Sequence, residues 1–454
     1  MAFSLFKRLL GLDTPSPVAA PRPSPAPSLS RVPADTQADL SERTGPATML
    51  HRDLMVSREL QILGHHFRLR ESVQRRHDAA AGELTRMYDE ALLRHFIAEE
   101  ALRPFGQKLI CLDVSIHVLD SALLAALPPG QFVLILDVST QPQPCAETAE
   151  LMRRLRASGY QFGIRLDGQG EAKSWLPLVD LVHLSMPEHH PESLSAMLTD
   201  IQSIAPHAKV LLADIRFYEE MQTARQLPVE MLEGRYLRHR EPVQPGDLDA
   251  GYMRLLETLN LVRAEADAAD IARSLKFDPL LSFKLLRFVN SPAAGLVTPV
   301  DSIERAVIVL GHQQLYRWLS LLLYSQAQPD GGQPVLMATA LMRGRMMELL
   351  GKRLFKREHH DALFTVGLFS VLDVMLGQPM AKIVDHLSLP AEMASALVSR
   401  EGRYASLLEL VLACEEGDQP EADALFEAAH VTRLEVSRAQ IEALHWMEEV
   451  GQAS

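Results

Sequence analysis

Five short apolar runs constrain the first half of this chain more than any other feature: KLICLDV (108–114), QFVLILDV (131–138), YQFGIRLD (160–167), LVDLVHLS (178–185) and AKVLLADI (208–215). Each reads as a strand, and stretches between them, such as CAETAELMRRLRASG and PESLSAMLTDIQSIA, have helical spacing. That alternation is the βα repeat of a mostly parallel sheet, for which a closed barrel and an open sheet both remain open.

From about residue 248 the strands stop. GYMRLLETLNLVRAE carries Tyr252, Leu255, Leu256, Leu259 and Val262 on one helical face. Asp278 and Pro279 then stand where one helix ends and the next begins, and apolar helical periods continue through DALFTVGLFSVLDVMLG and ASLLELVLACEEG. The expected organisation is an amphipathic N-terminus with a Pro/Ala/Ser-rich tether over 1–46, an α/β domain over 47–245 and an all-helical bundle with a C-terminal extension over 246–454. A chain of 454 residues has room for these parts. The tether sequence is too poor in apolar residues to fold, while MAFSLFKRLLG is short, basic and amphipathic and could touch a membrane or a partner.

A net charge of −13 disfavours a broad nucleic-acid-binding surface. Cys111, Cys145 and Cys414 lie too far apart in sequence to suggest a cysteine zinc motif or a disulfide framework, so a reducing cytoplasm is the simplest location. No run approaches the ~20 apolar residues of a membrane span, so no transmembrane segment is expected.

The run DPLLSFKLLRFVNSP followed by DSIERAVIVLGHQQLYRWLSLLL resembles the HDOD domain, a noncatalytic relative of the HD metal phosphohydrolases. Carrying the resemblance are Asp278, Pro279, Leu285, Leu286, Arg287, Val289, Asn290, Ser291, Ser302, Ile303, Ala306, Leu310, Gly311 and Trp318, within a likeness over roughly 250–415. Their chemistry is structural. Pro279 suits a helix start, Asn290 and Ser291 can bond nearby backbone before Pro292 stops the helix, and Gly311 suits a helix end with positive φ.

A metal phosphohydrolase of the related type needs an early His, a His-Asp pair and a later Asp, for which His312, His359, His360, Asp361, Asp373, Asp385 and His386 are the candidates. Adjacent helical residues point about 100° apart, so His360 and Asp361 converge only if other ligands complete the shell. Asp361 is expected instead to serve the start of the helix DALFTVGLFSVLDVMLG.

In the first half, DLMVSRELQILGHHFRLRE, FVLILDVS, YQFGIRLDG, VDLVHLS, KVLLADIRFYEEM and EGRYL occur in the order of an EAL-type domain, so the whole chain resembles the EAL-HDOD signalling family. The resemblance implies a TIM-like (β/α) barrel, related to cyclic-di-GMP phosphodiesterases, followed by an all-helical HDOD bundle. It also implies a degenerate centre. His66 stands at the family's Glu, Asp113 at its Asn, Leu136 or Asp137 at its second Glu, Asp167 and Gly168 at its Asp pair, His183 at its Lys and Asp214 at a later Glu. Magnesium requires several oxygen ligands, and too few carboxylates remain, so no catalytic, cofactor-binding or metal-ligating residue and no cofactor are expected. Strand-end Asp113, Asp137, Asp167 and Asp214 are read mainly as caps of the following elements, and an altered metal site using His66 and His183 stays open. Arg165 and Arg216 are the candidate phosphate donors. The expected function is a noncatalytic cytoplasmic signalling adaptor whose partners are unidentified signalling proteins, with a cyclic dinucleotide ligand and homo-oligomer formation left open. The alternatives are a cyclic-di-GMP receptor without turnover and an atypical metal-dependent phosphodiesterase or phosphohydrolase.

Overall fold

The computed structural model describes residues 50–69, 82–97, 108–166, 171–186, 191–238, 250–290, 300–325, 333–416 and 422–452. The expected N-terminus and tether over 1–46 lie outside the described residues, as do Asp167, Gly168, Ser291 and Pro292. Two compact units divide the chain: Thr48–Leu248 with Tyr324–Glu448 makes one, and Asp249–Leu323 is the body of the other. The expected helical bundle over 246–454 is thus divided near residue 323.

In the larger unit eight strands close into a barrel in chain order, which decides between barrel and open sheet. They are β1 (Leu50–Val56), β2 (Ile62–Leu69), β3 (Leu109–Ser115), β4 (Phe132–Asp137), β5 (Gln161–Leu166), β6 (Leu181–Ser185), β7 (Lys209–Ile215) and β8 (Met231–Gly234). The five expected strands appear as β3 to β7. Only residues 57–61 separate β1 from β2, too few for a crossover, so β1 runs antiparallel to β2, and closure also sets it antiparallel to β8. Ser57 shapes that turn, its hydroxyl accepting from the amides of Glu59 and Gln61. All other neighbouring strands are parallel.

Helices α1 (Gly82–Ile97), α2 (Ala146–Ala157), α3 (Pro191–Ile204) and α4 (Tyr218–Gln226) make several crossovers. Short 3-10 turns over Ile116–Asp120, Ala122–Ala126 and Glu171–Leu178 replace helices elsewhere. Met55, Cys111, Val133, Ile135, Leu181, Leu211 and Met231 pack together as the apolar floor of the barrel. Gly64 is required beside them, because a Cβ there would meet the Leu109 carbonyl oxygen at 2.2 Å.

The same unit contains α9 (Gln333–Leu354), α10 (His360–Phe369), α11 (Leu372–Leu376), α12 (Met380–His386), α13 (Ala391–Val398), α14 (Ala405–Glu416), α15 (Ala422–Ala429) and most of α16 (Arg433–Gln452). Helices α9 and α10 approach closely at two glycines: a Cβ on Gly367 would lie 2.6 Å from the backbone of Arg343 and Gly344. Beside that contact the buried Arg343 guanidinium donates to Glu415 Oε2 at 2.7 Å and to Ser370 Oγ at 3.1 Å.

The smaller unit holds α5 (Ala250–Arg263), α6 (Ala268–Lys276), α7 (Pro279–Val289) and α8 (Ile303–Leu322). Tyr252, Leu255, Leu256, Leu259 and Val262 are all buried, as their spacing predicts. Asp278 accepts from the Leu281 amide at 3.0 Å and so caps α7. Asn290 bonds both amide and carbonyl of Val300 at 2.6 Å each, a tie ten residues ahead rather than the local bond expected. Gly311 has φ +70° and stands at the break between the two helical segments of α8, so it ends the first of them with positive φ, as expected.

Candidate functional site

The apolar floor gives way to charged side chains further along the strands. Period two places His66 and Arg68 on the inner face of β2, while Phe67 points outward to Phe96 of α1, with ring centroids 4.9 Å apart. Barrel closure then gathers residues that are remote in sequence. His66 donates from Nδ1 to Glu233 Oε2 at 2.9 Å and from Nε2 to Asp113 Oδ1 at 2.8 Å. Arg165 on β5 donates to the other oxygen of Asp113 at 2.7 Å. Alongside, Asp53 Oδ2 accepts from Arg68 and lies against His51 Nε2, both at 2.7 Å, and His51 Nδ1 lies 3.1 Å from the carbonyl oxygen of Cys414 on α14.

A histidine that donates from both nitrogens to carboxylates is an imidazolium. Burial alone would lower the His66 pKa, but the charges and hydrogen bonds of Glu233 and Asp113 overcome it and push the group up to about 10. Burial would raise Asp113, yet Arg165 and His66 hold its carboxyl well below the ordinary carboxylate range. Asp53, Asp113 and Glu233 therefore face cations supplied by the protein itself, with His66 shared by the last two.

His183 on β6 stands apart from this network. It is 1% exposed, its ring packs edge-on to His66 with centroids 5.5 Å apart, and neither nitrogen has a hydrogen-bond partner among the described residues. Burial, followed by the Arg165 and His66 charges, pushes its pKa well down, so the ring is neutral. Its nitrogen, one from His66 and a Glu233 oxygen lie within 4.8 Å of one another.

Of the residues singled out from the barrel sequence, the structure brings together His66, Asp113, Arg165 and His183. Asp113 does not cap a following element, as strand-end position suggested. It lies two residues before the end of β3, where the capping role falls to Ser115, whose hydroxyl accepts from His117 N. Asp137 does accept from an amide beyond its strand, Ser139 N at 3.0 Å. Asp214 bonds Ser185 Oγ at 2.8 Å, Leu136 is buried and carries no ligand atom, and Arg216 is exposed.

The helical candidates disperse. His312 Nε2 faces the Ala266 carbonyl oxygen at 3.0 Å, His359 Nδ1 faces Tyr404 Oη at 2.8 Å and His360 Nε2 faces the Phe355 carbonyl oxygen at 3.2 Å. Asp361 lies in the first turn of α10, near the positive end of the dipole, whereas the N-cap is His359, which makes no side-chain cap bond. A 3-10 turn over Arg357–His359 feeds straight into α10, which leaves little for a capping side chain to do. Asp373 bonds the adjacent Val374 amide, and Asp385 and His386 lie at the end of α12.

Sequence reasoning missed Glu233, Arg68 and Asp53. Arg68 was legible, since period two from His66 carries the inner face to it. Glu233 and Asp53 required knowledge of which strands close the barrel.

The HDOD domain family matches residues 250–377. The cyclic di-GMP phosphodiesterase CdgJ of Vibrio cholerae is 22% identical over 321 residues, which cover 70% of this chain and 74% of CdgJ. The uncharacterized protein YuxH of Bacillus subtilis is 24% identical over 252 residues, 55% of this chain but only 61% of YuxH, so the match spans less than two thirds of that relative. The structure of an EAL domain protein from Listeria monocytogenes aligns at 16% identity with a TM-score of 0.35, covering 46% of this chain and 93% of the other. The molecule is thus a closed-barrel protein that carries an HDOD domain. In that arrangement it resembles the EAL-HDOD proteins.

Proposed function

We infer that this chain is a noncatalytic adaptor in cyclic-di-GMP signalling, acting through protein–protein interaction. The single observation that carries the reading is the saturation of the inner carboxylates. Asp113 faces Arg165 and His66, Glu233 faces His66, and Asp53 faces Arg68. The magnesium implied by the EAL resemblance needs near-octahedral oxygen ligands and retained waters. An imidazolium and two guanidinium groups directed at the same carboxylates do not fit such an ion, and no reaction step is assigned to it.

A second reading has its own support, because a relative aligned over 74% of its length is named a cyclic di-GMP phosphodiesterase. On that reading the barrel is a receptor for the dinucleotide or an unusual enzyme. The test is to incubate full-length protein with cyclic-di-GMP and Mg²⁺ or Mn²⁺, following heat and products in the same samples. The adaptor reading expects neither binding nor product. Binding without product makes the chain a receptor, and turnover that disappears in Asp214→Ala makes it an enzyme.

A further inference from the structure

The orphaned histidine inside the barrel calls for an explanation, since buried polar atoms are normally bonded. His183 has two such atoms, both without a partner among the described residues, and one of them lies within 4.8 Å of the ligand-capable atoms of His66 and Glu233. All three side chains are buried, at 1%, 1% and 2% exposure, and they come from three strands, β6, β2 and β8.

We propose that His66, His183 and Glu233 bind a first-row divalent ion of the kind that accepts imidazole, represented by Zn²⁺. Two imidazoles and one carboxylate form a set suited to that class, and they leave a fourth tetrahedral position open. Donors around tetrahedral Zn²⁺ stand roughly 3.3 Å apart, so the three atoms, within 4.8 Å of one another, draw together on binding. The outer support is already built. Nε2–H of His66 donates to Asp113 at 2.8 Å, Arg165 holds the other oxygen of that carboxylate at 2.7 Å, and Nδ1 is left as the nitrogen that faces Glu233. A carboxylate behind a ligating histidine fixes its ring and raises its basicity. The ion replaces the proton between Nδ1 and Glu233, and that proton leaves to solvent.

This site departs from the expectation that the chain has no metal ligands, and it differs in chemistry from an oxygen-ligated magnesium centre. It rests on barrel geometry alone and stands whether or not a cyclic dinucleotide binds.

The test uses full-length protein stripped with a chelator, titrated with Zn²⁺ or Mg²⁺ by calorimetry, with thermal unfolding and the visible absorption of Co²⁺ as independent readouts. No nucleotide is present. The chain has 17 histidines, so surface binding is controlled with His117→Ala, a change at an exposed position. His183→Phe keeps a ring of similar shape against His66 while removing both nitrogens, and His183→Ala serves as a second variant. The wild type and His117→Ala are expected to bind one tight equivalent of Zn²⁺, to gain thermal stability and to give a Co²⁺ band. Both His183 variants should bind at least about 100-fold more weakly and lose the Co²⁺ band. Equal Zn²⁺ binding in folded His183→Phe, or no Zn²⁺ binding beyond that of Mg²⁺ in the wild type, overturns the proposal.

Discussion

His66, Asp113, His183 and Glu233 come from four strands, with His66 and Glu233 separated by 167 positions, whereas His359, His360 and Asp361 are consecutive. Both groups offer imidazoles and carboxylates. In the barrel, closure turns them toward one another, and two carboxylates share one imidazolium. At the start of α10 the same residue types diverge, each ring meeting its own neighbour: Tyr404 for His359 and the Phe355 carbonyl for His360. Proximity in sequence is therefore a poor guide to a polyvalent site. Strands aimed at a common axis converge, and adjacent residues on one helix do not.

The sharpest way to break this comparison is Asp113→Ala. Removing the carboxylate leaves Arg165 without its carboxylate partner and His66 with Glu233 alone, and loss of one member of a buried ion pair costs about 3–5 kcal/mol. Urea unfolding of the full chain should show the corresponding fall in midpoint. A loss below about 1 kcal/mol would mean that the network relaxes freely, and the barrel would no longer differ in kind from the helix start.

The α9–α10 region depends on close backbone approach, so a glycine there should be sensitive to substitution. Gly367→Ala places a methyl group 2.6 Å from the backbone of Arg343 and Gly344, which must separate. Overpacking of this kind costs about 1–3 kcal/mol, read as a lowered melting temperature. An unchanged melting temperature would show that the crossing is looser than its geometry.

A helix start built from side chains provides the next comparison. At α16 the Thr432 amide donates to Glu435 Oε2 at 2.8 Å, and the Glu435 amide returns to Thr432 Oγ1 at 3.3 Å, a capping box that α10 lacks. Thr432→Ala should cost about 1 kcal/mol. Burial pushes the Glu435 carboxyl up, but the Thr432 amide and hydroxyl, with Arg353, bring it below its ordinary value. A lowered folded-state pKa contributes stability above the unfolded value of about 4.5 and loses it as pH falls through the folded value. The difference between wild type and Thr432→Ala should therefore shrink on acidification below that point, which paired unfolding curves would check.

The barrel strands β3 to β7 were legible because each is a continuous apolar run, and burial of their neighbours followed from period two. Asp53 and Glu233 were hidden for a topological reason. β1 is antiparallel and β8 has four residues, so neither repeats the βα pattern that marks the others. The pairing of His66 with Glu233 exists only after β8 closes on β1. Asn290 shows the same limit in the helical part, since its partner Val300 lies beyond a segment whose path its own sequence does not reveal. Local chemistry identified Asp278 and the buried face of α5 because those depend on spacing within one helix or at its start.

The smallest effect should come from Asp361→Ala, which tests the question posed by the His-Asp pair most directly. The residue lies in the first turn of α10, where a carboxylate favours the helix dipole by about 0.3–1 kcal/mol. His359 and His360 face separate partners, so removing Asp361 should leave Zn²⁺ uptake unchanged and lower stability by less than 1 kcal/mol. Metal analysis of the same samples used for unfolding supplies both readings. A lost metal equivalent, or destabilisation as large as that of Asp113→Ala, would move the helix start into the class of convergent sites. The distinction between strand closure and helical adjacency would then fail at the place where it makes its most specific claim.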